Sequence, residues 1–226
     1  MKVSEAIASR ISCRAFLPDP IPEKTVREIL DRARRAPSGG NLQPWHCHAV
    51  TGPALKALLA DVRAQMELTP RGEPGEFRVY PEGLSGPYEA RRFKCGEDLY
   101  RTIGVARNDK PGRVRQFRRN FELFGAPVAL FIYIDRRMGP PQWADIGMFL
   151  QNIFLLAREQ GLHSCPQEAW AQWHGLIAAH LKPPAEHMLF CGVALGRMAE
   201  RAPVNSLRTA RAGLDAIGRF PGFEWS

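Results

Sequence analysis

Between positions 143 and 160 the chain carries Met148, Phe149, Leu150, Ile153, Phe154, Leu155 and Leu156, which at helical spacing cover nearly the whole circumference. Asp145 suits the first turn of such a helix, and Gly161 supplies its C-terminal stop. A helix that is apolar all round must be buried on every side. With 226 residues the chain is long enough for one well-packed domain and short for two. The helix therefore has to run through the middle of that domain, and a subunit interface would help to cover it.

The other elements are arranged around this one. Ile7 and Ile11 mark a short helix near residues 4–9. Pro22 and Glu23 open a second, with Val26, Ile29, Leu30 and Ala33 along one face. That helix ends at Ala36-Pro37, which leaves Ser38-Gly39-Gly40-Asn41 as a loop. Residues 46–51 alternate as a strand, and Leu55, Leu58, Leu59 and Val62 mark a helix after Pro53. From about Thr69 to Lys94 proline, glycine, tyrosine and charged residues replace any sustained period. Such a stretch reads as a long excursion from the core, either functional or disordered. Its Phe77, Tyr80, Tyr88 and Phe93 favour an ordered, partly packed segment. Basic helical sequence follows near residues 112–121, then two buried strands at 127–134 and 189–195. The order is mixed α and β, with no regular βαβ alternation and no glycine fingerprint of the Rossmann type. We expect one domain over residues 1–226 with an insertion at about 66–100.

Thirty-one basic residues against 23 acidic ones give a net charge of +8, which attracts an anion of some kind. Five scattered cysteines without a CxxC pair argue against both a disulfide framework and a zinc site, and suit a reduced, cytoplasmic setting. The N-terminal stretch carries Glu5 and Arg10 and lacks a signal peptide's apolar core. The longest apolar run, residues 126–134, falls far short of the roughly 20 residues of a membrane span, so neither membrane nor secretion is expected.

Two segments carry chemistry. Arg10-Ile11-Ser12-Cys13-Arg14 sets two guanidinium forks beside a hydroxyl, which suits a phosphate but equally describes a solvated surface stretch. In APSGGNLQPW, residues 36–45, two glycines let backbone N–H groups approach a ligand closely, and Ser38, Asn41 and Gln43 could fix a heterocycle. An ordinary capped helix-to-strand turn would use the same residues. His46-Cys47-His48 offers two imidazoles on one strand face and no third ligand nearby. Cys165, beside apolar residues, reads as a buried structural thiol rather than a nucleophile. Arg113, Arg115, Arg118 and Arg119 form a basic helix face without the aromatic interleaving of a nucleic-acid binder.

Taken in order, these segments resemble the FMN-dependent nitroreductase family. RxSxRxF at residues 10–16 is followed about twenty residues later by APSGGNLQPW. Phe124-Gly125-Ala126-Pro127 leads into a strand, and residues 145–152, Gly161-Leu162 and residues 165–170 follow. Leu195-Gly196-Arg197, Pro203-Val204-Asn205, Arg208 and Arg211 close the series. The likeness is nearest to the branch associated with nitroaromatic acids and spans the chain except for roughly residues 66–100. It implies an α+β fold, a central, mostly antiparallel sheet flanked by helices, in an intertwined homodimer with flavin sites at the interface. It also implies bound FMN, reduced by NADH or NADPH, and ping-pong hydride transfer to a small-molecule acceptor such as a nitroaromatic or quinone.

Residue by residue, the resemblance assigns Arg10, Ser12 and Arg14 to the FMN phosphate and the polar edge of the flavin, with Arg211 closing on the phosphate. Arg208 stands in for a lysine that relatives carry at the position of Thr209. Pro37, Ser38, Gly39 and Asn41 would come from the partner subunit. Pro166, Gln167, Glu168 and Ala169 would lie along the flavin ring, the backbone N–H of Ala169 near N5, where relatives often have glycine. No side chain is assigned as catalytic. Tyr88 and Arg91 either roof the acceptor pocket or belong to a surface flap. The aromatic tail over residues 220–225 is expected to embrace the partner, so that deleting residues 217–226 weakens both dimer and FMN binding. The same fold also hosts reductive dehalogenation, flavin destruction and azoline oxidation, and a non-catalytic flavin-binding sensor is a further alternative.

Overall fold

The computed structural model describes residues 1–222. Four strands, β1 (His46–Thr51), β2 (Val128–Asp135), β3 (His163–Gln167) and β4 (His187–Gly196), form one antiparallel sheet in the order β1-β2-β4-β3. All eight residues of β2 are buried, because β2 lies inside the sheet and helices cover both of its faces. One face packs against α2 (Glu23–Ala33) and α6 (Pro140–Glu159), through Ile29, Ile132, Ile146 and Ile153 among others. The other packs against α3 (Gly52–Leu68) and α7 (His174–Leu181), with Leu58, Phe131 and Trp173 at its centre. Each large aliphatic or aromatic side chain fully buried here contributes about 1.5–3 kcal/mol. The sheet is thus fixed from both sides.

The central helix departs from expectation in two ways. It starts at Pro140, a good first-turn residue, so Asp145 sits one turn deeper than the sequence suggests and is only 6% exposed. Nor is it buried all round. Ile146, Phe149, Ile153 and Ala157 face the sheet, while Ala144, Gly147, Met148 and Gln151 are exposed in the single chain. Spaced at i, i+3, i+4 and i+7, these four form a continuous stripe down one side of α6.

The excursion is more regular than its composition suggests. Residues 69–85 are irregular, but α4 (Gly86–Thr102) occupies the rest, beginning with Pro87 at a favoured first-turn position. No residue of α4 is buried, which is why it shows no apolar period. Phe77 still packs against Trp143 and Phe190, and Glu73 accepts the first N–H groups of α7 from Gly175 and Leu176, at 2.6 and 3.0 Å. These contacts pin the near end of the excursion to the body. The basic stretch is α5 (Lys110–Arg118), capped by the Asp109 carboxylate on Gly112 N–H at 2.8 Å. The first helix is α1 (Val3–Ser9). Among the described residues no helix is long and apolar enough to cross a membrane. Of the aromatic tail, residues 223–226 lie outside the described residues.

Candidate functional site

In the strand order β1-β2-β4-β3, β3 is an edge strand, and the N-terminal segment lies along its free side. Ser12 bridges Ser164 in parallel, and Cys13 N–H donates to the Ser164 carbonyl at 3.0 Å. Farther on, Phe16 N–H donates to the Phe124 carbonyl and Leu17 N–H to the Arg197 carbonyl. The RxSxR stretch is therefore held in extended form by backbone bonds, and Arg14 Nη1 turns back to donate to the Ser12 carbonyl at 3.2 Å.

Asn205 joins this segment to the chain's closing stretch. It is 3% exposed. Its Oδ1 accepts Arg14 N–H at 2.8 Å, and its Nδ2 donates to the carbonyls of Ala15 and Ala199 at 2.8 and 3.1 Å. The Asn205 carbonyl in turn accepts from Arg208 Nη1 at 2.8 Å. Arg211 Nη1 turns back on Thr209, bonding its carbonyl and hydroxyl at 3.0 and 2.7 Å. Thr209, where the resemblance implies a lysine, thus acts here as an acceptor for Arg211.

Electrostatically this corner is one-sided. Among the described residues no carboxylate pairs with Arg10, Arg14, Arg208 or Arg211, although many other arginines of the chain are paired. The Arg10 guanidinium is held below the usual arginine range, first by partial burial and then by repulsion from Arg211. Arg158 adds a further cation, donating to Ser9 Oγ, the Leu162 carbonyl and His163 Nδ1. Burial, then Arg158 and Arg208, push His163 down to about 4. Cations held together without counter-ions fit a phosphate, which would supply the missing negative charge and several acceptor oxygens. The terminal phosphate of FMN meets that description.

Residues 166–169 leave β3 at its C-terminal end and enter a 3-10 turn, Glu168–Trp173. The Gln167 side chain is buried and committed inward, with Nε2 donating to the Asn120 carbonyl at 2.7 Å and Oε1 accepting from Trp170 at 3.4 Å. Its side chain is therefore not available to a ligand. Trp170 is fully buried beside the turn and meets Phe121 and Phe131 edge to face. The Glu168 side chain opens to solvent, yet its surroundings are crowded enough that desolvation raises its carboxyl. Ala169 is partly buried and packs on the core. Cys165 is buried and pushed up to about 12, which leaves no thiolate for nucleophilic chemistry.

Residues 38–43 sit elsewhere on the chain, against α6. Gly39 N–H donates to Asp145 Oδ2 at 3.3 Å, and Ser38 Oγ accepts Gln43 N–H at 3.0 Å. Gly40, Asn41 and Gln43 all have φ between 50° and 57°, with right-handed Leu42 between the last two; glycine and asparagine tolerate this conformation and glutamine does not readily. The loop, including Pro37, Gly39 and Asn41, is exposed and borders the open stripe of α6. It and the arginine corner are thus anchored on different elements, the first on α6 and the second on β3. Tyr88 and Arg91 stand exposed on α4.

His46 and His48 do not gather with other ligands. His46 stacks on His187 with ring centroids 3.9 Å apart, and His48 meets the edge of Tyr133. Among the described residues no group of three histidine, cysteine or carboxylate side chains is placed to hold a metal. The residue that sequence reasoning undervalued is Asn205. It was visible only as part of Pro203-Val204-Asn205, and nothing local marks it as the strut that fixes Arg14.

Residues 7–197 match the nitroreductase family profile. The chain is 39% identical over 218 residues to 4-nitrobenzoate reductase of Pseudomonas putida, covering 96% of this chain and 95% of that one. It is 34% identical over 221 residues to chloronitrobenzene nitroreductase of Comamonas testosteroni, with 96% of each covered. Among solved structures, the FMN- and NADPH-dependent nitroreductase NfnB from Sphigopyxis sp. strain HMH superposes with a TM-score of 0.95 at 46% identity, over 99% of this chain and 100% of that one. The FMN-dependent nitroreductase NfnB from Mycobacterium smegmatis, solved with NADPH, gives 0.90 at 29% identity, over 96% and 97%.

Proposed function

The chain belongs to the nitroreductase family, and on that premise we propose that it is an FMN-dependent oxidoreductase that takes electrons from NADH or NADPH and reduces nitroaromatic, quinone or similar acceptors. The observation that carries this reading is the corner formed by Arg10, Arg14, Arg208 and Arg211, four cations without a carboxylate partner among the described residues. FMN, when bound, supplies the two-electron chemistry by accepting and passing on a hydride.

The chain's own residues bind, orient and exclude water. In this reading Arg10, Ser12, Arg14 and Arg211 hold the phosphate and the polar edge of the ring, with Arg208 bracing the closing segment. Extended backbone at Pro166 and Gln167 and the turn at Glu168 and Ala169 form the surface along which the ring lies. The inward commitment of Gln167 and the Trp170 floor keep that surface rigid. Cations beside the ring's pyrimidine side stabilise negative charge there, as an oxyanion hole does. The net charge of +8 draws in anionic nucleotides and acidic acceptors.

The working unit is a homodimer in a cytoplasmic setting. The open stripe of α6 and the adjacent exposed loop at Pro37, Ser38, Gly39 and Asn41 support this, because both are left for a second chain to cover, and in this reading the loop meets the partner's arginine corner. Tyr88 and Arg91 on the uncovered helix α4 then contact the acceptor. Steady-state turnover of the FMN-loaded protein with 4-nitrobenzoate, nitrobenzene and a quinone tests the reading. Nucleotide oxidation coupled to at least one acceptor is expected, and a flavin-loaded protein that turns over none of them would refute it.

A further inference from the structure

Residues 33–45 follow one row of side chains on α6. Asn152 Nδ2 donates to the carbonyl of Ala33, the last residue of α2, at 3.2 Å. Asp145 Oδ2 accepts Gly39 N–H at 3.3 Å. Phe149 stacks on Trp45, with ring centroids 5.1 Å apart and planes 7° from parallel. Positions 145, 149 and 152 are spaced i, i+4 and i+7, so they share one side of the helix. α6 thus holds the segment at its entry, its tip and its exit.

The three holds differ in kind. A side chain on a helix-end carbonyl and a stacked aromatic pair are contacts that a fold needs for itself. Asp145 is another matter. It is 6% exposed, and a carboxylate so far out of water is normally paired with a cation or bonded several times. Asp135, the other buried carboxylate among the described residues, accepts Arg137 Nη2 at 2.6 Å and Arg137 N–H at 2.9 Å. Asp145 has the Gly39 bond alone, and its Oδ1 has no partner among the described residues although it is not enclosed. A charge so thinly compensated costs the fold stability, and such departures gather where function uses them.

What Asp145 holds is the tip of an exposed loop. Asn41 N–H donates to the Ser38 carbonyl at 2.9 Å and Gln43 N–H to Ser38 Oγ at 3.0 Å, which fixes the loop's shape. The Gly39 bond fixes where that shape stands on α6. We propose that Asp145 is a positioning residue for the cofactor, setting the place of Gly39 and Asn41 against the flavin through Gly39 N–H. This rests on the reading above that the loop meets FMN.

The test follows FMN binding by flavin fluorescence, the visible spectrum of the bound flavin and thermal melting of the apoprotein, for the parent, Asp145→Ala and Asp145→Asn. Asp145→Ala should weaken FMN binding about tenfold or more, as loss of one hydrogen bond to a charged group does, and shift the visible band of the flavin that remains bound. Its apoprotein should melt no lower than the parent's, because a thinly compensated buried charge has gone. Asp145→Asn, which keeps an oxygen for Gly39 N–H, should recover most of the affinity. FMN affinity and spectrum unchanged in Asp145→Ala would overturn the proposal. So would an Asp145→Ala apoprotein that melts well below the parent while Asp145→Asn restores nothing, since Asp145 would then serve the fold. A parent protein that takes up no FMN would overturn the reading itself, and the proposal with it.

Discussion

The side-chain carbonyl of Asn205 accepts the backbone N–H of Arg14 at 2.8 Å, tying together positions 191 residues apart in the chain. Its amide completes the tie through the carbonyls of Ala15 and Ala199. Asn205→Ala leaves the buried Arg14 N–H without its partner and removes one of the bonds to the Ala15 and Ala199 carbonyls, which keep the N–H groups of Ala199 and Ala202. The expected loss is about 1–3 kcal/mol of stability, together with weaker FMN binding. Urea unfolding of the apoprotein and flavin fluorescence titration measure the two. Unchanged FMN affinity in a destabilised variant would mean that the strut does not position the arginines.

Arg10 and Arg211 repel one another in the free protein, and the repulsion is relieved only by an anion. Arg211→Gln should therefore weaken FMN binding about 10- to 100-fold through a lost charge-assisted bond, while apoprotein thermal stability is retained or rises. A variant whose apoprotein melts well below the parent would show instead that Arg211 holds the fold together.

Gly192 stands opposite Gln167 in the β3–β4 register, directly beneath the Trp170 indole, and a methyl group there would overlap the ring. Gly192→Ala should displace the floor of the 166–169 turn and cost about 1–3 kcal/mol by overpacking. A blue- or red-shifted tryptophan emission and a lower urea midpoint would register the displacement. Identical emission and midpoint would contradict it.

His163 has a folded-state pKa of about 4, below the ordinary imidazole value of about 6.5. Above the ordinary value both folded and unfolded states are neutral, and the contribution is fully present. As pH falls from about 6.5 towards 4, the unfolded chain takes up a proton that the folded chain refuses, and apoprotein stability drops by at most about 3 kcal/mol. His46 and His48, also lowered by burial and by His187, add to the same slope. His163→Gln should flatten the profile in this window, as urea midpoints across it would reveal. An unaltered slope would assign the acid sensitivity elsewhere.

Legibility followed the physics of each segment. The buried strand β2 was plain because burial on both faces writes continuous apolar sequence, and helix α6 because its sheet-facing side is apolar at helical spacing, although the residues of its open stripe are exposed in the single chain. Residues 38–43 were plain because Gly40 and Asn41 mark left-handed backbone. Two elements were hidden. β3 is five residues long and contains Pro166, and it exists because β4 supplies a pairing edge and Ser12–Cys13 closes the other. α4 carries no apolar face because the single chain packs only its C-terminal end, against α5 and residues 203–206, and buries none of its residues. The individual arginines were readable as candidates, but their grouping depends on Asn205 and on the β3 edge, contacts between the two ends of the chain that no local pattern encodes.

Anaerobic addition of NADPH or NADH to the purified protein, followed by its visible spectrum, tests the central claim most directly. The account predicts flavin absorption near one FMN per subunit that bleaches with at least one of the two nucleotides. A colourless protein that takes up no added FMN, or bound flavin that neither nucleotide bleaches, would contradict it.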